Sequence, residues 1–403
     1  MLAATVRVTR DIDTAEEAVQ DAYVQALRTW SDQGVPERPG AWLTTVARRT
    51  ALNLLRRRRT LAAKLPLLVE ADAGDGPGAP EGADVIPDDR LRLVFTCCHP
   101  ALSPEAQVAL TLRLMCGVAT PDIARAFLVP EATMAARLTR AKKKIAAARV
   151  PYAVPSAAEL PARVDAVLTV IHLLYSTGHT APSGADLVRV DLCDRALDLV
   201  TLLGRLLPDE REVTGLQALL LVHEARRATR TGPEGRLLRL EDQDRSAWDH
   251  DLIAEADRGV VAALRAGPAG RFALQGAIAA LHARAPSYEA TDWAQLVELY
   301  DALARVWPSP VVDLNRAVAV AMVDGPAVAL AEVDRLAADG RLAGYHYLPA
   351  TRADLLLRLG RTDEAAAALR GALALCGNDA EREHLAGRLA AITSPGAARC
   401  RGR

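Results

Sequence analysis

The chain has 403 residues, a formal net charge of −1, half of its residues apolar and only 4% aromatic. That length exceeds what one core serves and predicts roughly two to four domains. Ala and Leu at helical spacing, with few β-branched or aromatic alternations, predict an all-α protein, and no apolar run of about 18 uncharged residues exists to span a membrane.

The near-neutral total hides an asymmetry. Residues 1–150 carry 21 Lys/Arg against 17 Asp/Glu, and the remainder carries 28 against 33. The front is mildly basic with its excess clustered, and the back is acidic. The opening Met1 to Arg7 lacks the charged start, apolar stretch and cleavage site of a secretory leader. Cysteines 97, 98, 116, 193, 376 and 400 are scattered, which suits a reducing cytoplasm better than a disulfide framework.

Residues 1–30 read as two helices broken at Thr9-Arg10-Asp11-Ile12-Asp13. Asp13 or Thr14 would cap the second, with Glu16 and Glu17 in its first turn. That helix should carry Ala18, Ala22 or Tyr23, Ala26 and Leu27 on one side, and Glu17, Gln20, Asp21 and Arg28 on another. A Pro/Gly loop from Ser31 to Gly40 leads into a basic helix over 41–59, whose stripe of Trp42, Leu43, Val46, Ala47, Leu54 and Leu55 should be buried. Residues 70–89 are acidic and rich in Gly and Pro, the composition of a flexible linker.

From Asp88 to Arg149 the pattern predicts four helices. Ser103-Pro104-Glu105 opens one, Cys116-Gly117 closes it, and Thr120-Pro121-Asp122 and Pro130-Glu131 open the next two. After a joint containing Pro151, Pro155 and Pro161, helical periodicity resumes to about residue 392. Ala294, Ala329 and Ala365 recur at spacings of 35 and 36 residues. That approaches the 34-residue period of a tetratricopeptide-like stack, expected from about 270 to 392.

Two segments carry chemistry. Arg48, Arg49, Arg56 and Arg59 share about half of the basic helix, and fixed cations at helical spacing suit a phosphate track because each neutralised phosphate releases counterions. A solvated arginine run favoured by the helix dipole is the other reading. In the second segment, Thr120 to Phe127, a break and Glu131 to Lys144 have the form of a helix-turn-helix. Ala132, Thr133, Ala135, Ala136 and Thr139 are small enough for close groove approach. Arg137, Arg140, Lys142, Lys143 and Lys144 supply cations, and Ile123, Ala124, Phe127, Met134, Leu138 and Ala141 would form the core. An ordinary helical hairpin is the alternative.

Cys97-Cys98-His99 lacks a second Cys/His pair at ligand spacing, so buried small side chains are expected there rather than a metal. In the back half, His179, Asp242, Asp244, Arg245 and Trp248, with His250 nearby, form the densest polar patch. It reads as a ligand or partner site, as a metal site through the two aspartates and His250, or as helix caps and an ion pair. No nucleophile–base pairing or phosphate-binding glycine loop points to an enzyme.

Asp13 to Tyr23, Gly40 to Arg49 and residues 103–149 together resemble an extracytoplasmic-function sigma factor of the sigma-70 family. Phe95 to Pro104, Leu240 to Asp249 and the helical tail are similar to its subgroup with a long C-terminal extension, sometimes numbered the forty-second. That subgroup lacks a dedicated membrane anti-sigma factor, and its genes commonly lie beside those for small YCII-related proteins of the DGPF type. The resemblance implies a sigma region 2 at 1–60, a linker at 61–87, a region 4 helix-turn-helix at 88–150, a family-specific helical domain at 160–268 and tetratricopeptide-like repeats at 269–395.

It implies a transcription initiation factor in the cytoplasm, without cofactor or metal. Its partners would be the β′ and β subunits of core RNA polymerase, promoter double-stranded DNA, and a regulatory protein on the helical repeats. Glu17, Gln20 and Asp21 would grip polymerase. Trp42, Arg48, Arg49, Asn53, Arg56 and Arg57 would melt and read the −10 element beside loop 31–40. Thr133, Ala135, Ala136, Arg137, Thr139, Arg140 and Lys143 would read the −35 element. The C-terminal half would regulate in cis.

Two departures stand out. The segment before Thr9 is shorter than the usual first helix, implying a late-assigned start or a lighter clamp on polymerase. Ala135-Ala136 replaces an Arg and a Ser common in relatives, shifting base readout toward Thr139, Arg140 and contacts with thymine methyls. Two rival readings remain: a small-ligand sensor or enzyme in the back half with a DNA-anchoring front, and a tetratricopeptide scaffold that binds no DNA.

Overall fold

The computed structural model describes residues 1–64, 89–127, 129–156, 159–232 and 236–393; residues 61–64, expected to open the linker, continue a helix, and the rest of the linker lies outside the described residues. Among the described residues the architecture is helical throughout, without a strand, in two compact units of residues 1–170 and 171–403.

The first unit holds α1 (Leu2–Thr9), α2 (Ile12–Gln33), α3 (Pro39–Lys64), α4 (Asp89–Cys97), α5 (Pro104–Cys116), α6 (Thr120–Ala126) and α7 (Glu131–Ala147). The break between α1 and α2 falls where the sequence places it, but the cap is Asp11, whose carboxylate accepts the Thr14 N–H at 2.7 Å. Asp13 stands inside the first turn, where its charge favours the helix dipole. α2 buries a stripe of alanines, 15, 18, 22 and 26, against which α3 packs. Side chains this small let two backbones approach closely and leave the larger neighbours outside. Leu27, expected on one side with Ala18, Ala22 and Ala26, is therefore 76% exposed, and Tyr23 and Val24 are 52% and 46% exposed.

Gly34, at φ 80°, ends α2, and its N–H donates to Trp30 O. α3 begins at Pro39, two residues before the expected start, and Trp42 meets Trp30 with ring centroids 5.4 Å apart. α5, α6 and α7 start where Ser103-Pro104, Thr120 and Pro130-Glu131 predict, and Gly117 closes α5 at φ 66°. The Tyr152 hydroxyl lies 2.7 Å from Ala3 O and 2.9 Å from Asp89 O, tying the chain after α7 to α1 and α4.

α8 (Leu160–His179) runs across the boundary between the units. The second unit continues with α9 (Val190–Leu206), α10 (Arg211–Ala225), α11 (His250–Arg265) and α12 (Arg271–Arg284). α10 and α12 cross closely because Gly215 and Gly276 carry no side chain at the contact. The Glu212 carboxylate accepts the N–H groups of Phe272 and Ala273 at 2.9 and 3.2 Å, satisfying the start of α12 from α10.

Six further helices follow, each packed on the next: α13 (Trp293–Val306), α14 (Pro310–Val323), α15 (Pro326–Asp339), α16 (Tyr347–Arg358), α17 (Thr362–Leu375) and α18 (Asp379–Thr393). One apolar cluster runs from Leu314 to Leu385 through this stack. The repeat register differs from the expected one. Ala329 and Ala365 are the fourth residues of α15 and α17 and are buried, whereas Ala294 is the second residue of α13 and exposed. Leu296 is the fourth residue of α13 and fully buried, so it, not Ala294, matches the two alanines.

Candidate functional site

α7 separates its residues into two faces. Met134, Leu138, Ala141 and Ile145, spaced four, three and four apart, are buried with Ile123 and Ala124 of α6. Thr133, Ala135, Ala136, Thr139, Arg140 and Lys143 are exposed. Thr133, Ala136, Arg140 and Lys143 follow one another at helical spacing, forming a stripe that starts small and ends cationic. Of the proposed −35 readers, Arg137 is held apart. It is half-buried, with its guanidinium 5.8 Å from the Phe127 ring, so its planar cation braces the two-helix unit. The Thr139 hydroxyl donates to Ala135 O at 3.0 Å.

Lys142, half-buried between the two faces, reaches the first unit's own acidic helix. Its ammonium donates to Asp13 at 2.9 Å and to Glu16. Burial opposes its charge, but the bonds to Glu16 and Asp13 outweigh that and raise its pKa. Asp13 and Glu16 thus face α7, while Glu17, Gln20 and Asp21 remain exposed on α2 beside Tyr23, Val24 and Leu27. The proposed polymerase-binding residues therefore stand next to an exposed apolar stripe.

On α3, Ala47 and Ala51 are buried and Trp42 is partly covered by Trp30, while Arg48, Arg49, Asn53 and Arg56 are exposed. The cations expected to line DNA thus share the outward side of one helix. The side chains of Arg57, Arg58 and Arg59 lie outside the described residues.

The Cys97-Cys98-His99 cluster is built into the fold. Both cysteines are buried, and Cys98 Sγ lies 3.9 Å from the Thr111 hydroxyl. His99 Nδ1 accepts the Ala101 N–H at 3.1 Å. A trio the sequence reading missed, His346, Cys376 and Glu381, brings one donor atom each within 4.8 Å. These groups also serve one another and the fold: Glu381 accepts from the Tyr347 hydroxyl and lies 3.5 Å from His346 Nε2, and the Cys376 thiol donates to Asn378 O at 3.5 Å. Residues 30 positions apart in sequence gave no local signal for it.

The C-terminal polar patch divides. Asp244 caps a single turn, accepting the Ser246 N–H at 2.9 Å, and Asp242 lies 3.6 Å from Arg239; both are exposed, as is His250. Arg245 and Trp248 face inward instead. The Arg245 guanidinium lies 4.6 Å from the Trp248 ring, and its Nη1 donates to His282 O and Ala285 O at 2.7 Å each. Trp248 Nε1 donates to the Thr229 hydroxyl at 2.8 Å. His179 joins this interior through His223, 4.9 Å away ring to ring. His223, Arg226, Arg230 and His282 were not singled out by sequence reasoning. His223, Arg226 and Arg230 fall at i, i+3 and i+7, a basic pattern at helical spacing that could have found these three.

Among the described residues no helix is long and apolar enough to cross a membrane. Residues 2–60 match the family described as Sigma-70 region 2, residues 92–145 match Sigma-70, region 4, and residues 163–264 match a family of unknown function, DUF6596. An uncharacterised protein of Rhizobium meliloti (strain 1021) is 43% identical over 389 residues, covering 95% of this chain and 91% of that protein. No solved structure matches the chain. With region 2 on α1–α3, region 4 on α4–α7 and a further helical half behind them, the chain belongs to the sigma-70 family, as a factor like those of the extracytoplasmic-function group with a C-terminal extension.

Proposed function

We propose that the chain recruits core RNA polymerase to a set of promoters in the cytoplasm and initiates transcription there, with the C-terminal half controlling this in cis. The observation that carries the reading is the exposed stripe Thr133, Ala136, Arg140 and Lys143 on a helix whose opposite face closes a helix-turn-helix core. Small residues at the start of a recognition helix admit the major groove, and cations further along meet phosphates. Exposed Arg48, Arg49, Asn53 and Arg56 suit the −10 strand, with Trp42 at their head and Arg57 continuing the run.

Polymerase engages α2 through Glu17, Gln20 and Asp21 together with Tyr23, Val24 and Leu27, an apolar stripe with a charged rim of the kind that docks on another helix. The β′ and β subunits are the partners in this reading. The protein is not an enzyme; its chemistry is that of polymerase. Domains divide as region 2 at 1–60, a linker at 61–87, region 4 at 88–150, a family-specific domain at 160–268 and tetratricopeptide-like repeats at 269–395, whose stacked pairs offer a surface to a regulatory protein.

The test is run-off transcription with purified core polymerase on fragments selected by the holoenzyme from genomic DNA. Specific start sites that disappear when the chain is omitted are expected. Failure of the chain to bind core polymerase at all would refute the reading. A ligand-sensing back half is the second reading, favoured by the buried cationic interior around Arg226.

A further inference from the structure

The polar interior of the second unit holds three arginines, of which Arg245 feels Glu289 and Arg230 feels Glu381, while Arg226 has no carboxylate acting on it. Arg226 follows α10, and its Nη2 lies 3.3 Å from His223 Nδ1 while its plane faces the Trp248 ring at 5.6 Å. Its Nε is buried without a protein hydrogen-bond partner. Burial, then Arg230 and Arg245, push its pKa down to about 10, and no carboxylate figures among the charges that act on it. Proteins rarely enclose a guanidinium without a counter-charge, because lost hydration must be replaced by something.

The surroundings sharpen the imbalance. His179 and His223 stack with Tyr175, with centroids 5.6 and 6.2 Å from its ring. Both histidines are held neutral, well below their usual pKa, chiefly by burial and further by Arg226 and Arg230. His282 is lowered to about 4 by burial and then by Arg226 and Arg245. Four nitrogens of this interior, His179 Nδ1, Arg226 Nε, Arg245 Nη2 and His282 Nδ1, are buried and lack a protein partner. Arg230 differs, for it donates to His179 O and to the Thr180 hydroxyl. Arg245 also lines an open cleft of about 560 Å³ with Ser246, His250 and Ile253, where the carboxylate of Asp257 is paired with Arg284 at 3.3 Å.

We propose that this interior, walled by α8, α10, α12 and residues 226–230 and 245–248, is a binding site for a small oxyanion. A phosphate or carboxylate group accepts from Arg226 and Arg245, enters past Arg245 from the cleft, and receives further bonds from His179 and His282 in their donor tautomers. Guanidinium forks match both oxyanions, and bonds to charged donors are the strong ones. The binding step stands on these side chains alone. Its consequence rests on the sigma-factor reading: an anion that fastens α8 to Arg226, Arg245 and α12 sets the state of the C-terminal half and so the activity of the factor.

The experiment is thermal unfolding of the full-length chain in sodium chloride, sodium phosphate and sodium succinate at one ionic strength. Phosphate or succinate should raise the midpoint of the C-terminal transition by roughly 5–10 °C at a hundredfold excess over Kd. Phosphate acting alone identifies a phosphorylated ligand, and succinate acting alone a carboxylic acid. Arg226→Met should abolish the rise while leaving the unliganded midpoint equal or higher, since it removes an unbalanced charge. The proposal is overturned if neither anion acts beyond chloride, if Arg226→Met keeps the rise, or if Arg226→Met cannot fold, which would make the guanidinium structural. Polymerase takes no part in these measurements, so their failure leaves the promoter reading standing, and failure of core binding leaves this site standing.

Discussion

Gly215→Ala tests the crossing on which the second unit is built. A Cβ placed there would stand 2.6 Å from Ala273 N, 2.7 Å from Ala273 Cα and 3.0 Å from the Phe272 carbonyl carbon. All three are backbone atoms, so no rotamer change relieves the contact, and ordinary carbon contacts need about 3.5–4.0 Å. α12 must therefore move away by roughly an ångström. Overpacking of this kind costs about 1–3 kcal/mol. The displacement also stretches the bonds from Phe272 N and Ala273 N to Glu212, and hydrogen bonds to a charged group contribute about 1.5–3 kcal/mol each. Alanine's helix propensity returns at most about 1 kcal/mol. The net expectation is a loss of about 2–4 kcal/mol, which lowers the midpoint by roughly 5–15 °C in a unit of this size.

Scanning calorimetry of the full-length chain reads it directly. Gly204→Ala on α9 is the control, because its nearest neighbour is a side-chain atom, Gln217 Oε1 at 3.4 Å, able to swing away. It should leave the midpoint unchanged or raise it by the propensity gain of up to about 1 kcal/mol. An unchanged midpoint for Gly215→Ala would refute the close crossing of α10 and α12.

Arg140→Ala should leave stability within about 0.5 kcal/mol, since the side chain is exposed, while costing about 1–3 kcal/mol at the −35 element. Run-off transcription on promoters with and without that element checks it, and equal loss on both would remove Arg140 from base readout. Lys143→Ala should instead weaken binding to all sequences and reduce the salt slope by about one; a fluorescence titration across salt concentrations that returns the wild-type slope would place Lys143 away from phosphate. Leu27→Asp, at a 76% exposed position, should fold normally and weaken core polymerase binding by roughly tenfold or more. Unchanged affinity in a sedimentation or surface-binding assay would move the polymerase contact off this stripe.

Acid should act through the buried histidines. His172 and His282 are lowered to about 4, mainly by burial, with Arg271 adding for the first and Arg226 and Arg245 for the second. Above the unfolded pKa of 6.5 both states are neutral and nothing changes. As pH falls through 6.5 the unfolded chain takes up protons that the folded chain refuses, so stability drops, by at most about 3 kcal/mol per histidine near pH 4. Calorimetry between pH 7.5 and 5 should show a falling C-terminal midpoint; a flat or rising one would mean these rings are protonated in the folded protein.

The local signals in the sequence were strong where a single helix carries the information. Ser103-Pro104, Cys116-Gly117 and Pro130-Glu131 punctuate the chain at the observed boundaries because caps and prolines act on their own residues. The alternation of Met134, Leu138 and Ala141 with Thr133, Arg140 and Lys143 fixed which side of α7 is core before any partner helix was known. Tertiary structure decided what lies opposite. Leu27 is outside and Ala22 inside because α3 packs on a stripe of alanines, and hydrophobicity alone ranks leucine the wrong way. Ala294 matched Ala329 and Ala365 by spacing, yet the helix starts set the register and put Leu296 in that place. Of the group around Arg226, only the spacing of His223, Arg226 and Arg230 was legible in one dimension; their meeting with residues of α8, α12 and the segment before α11 was not. Periodicity reports which face of a helix is covered; only packing says which distant charges are enclosed together.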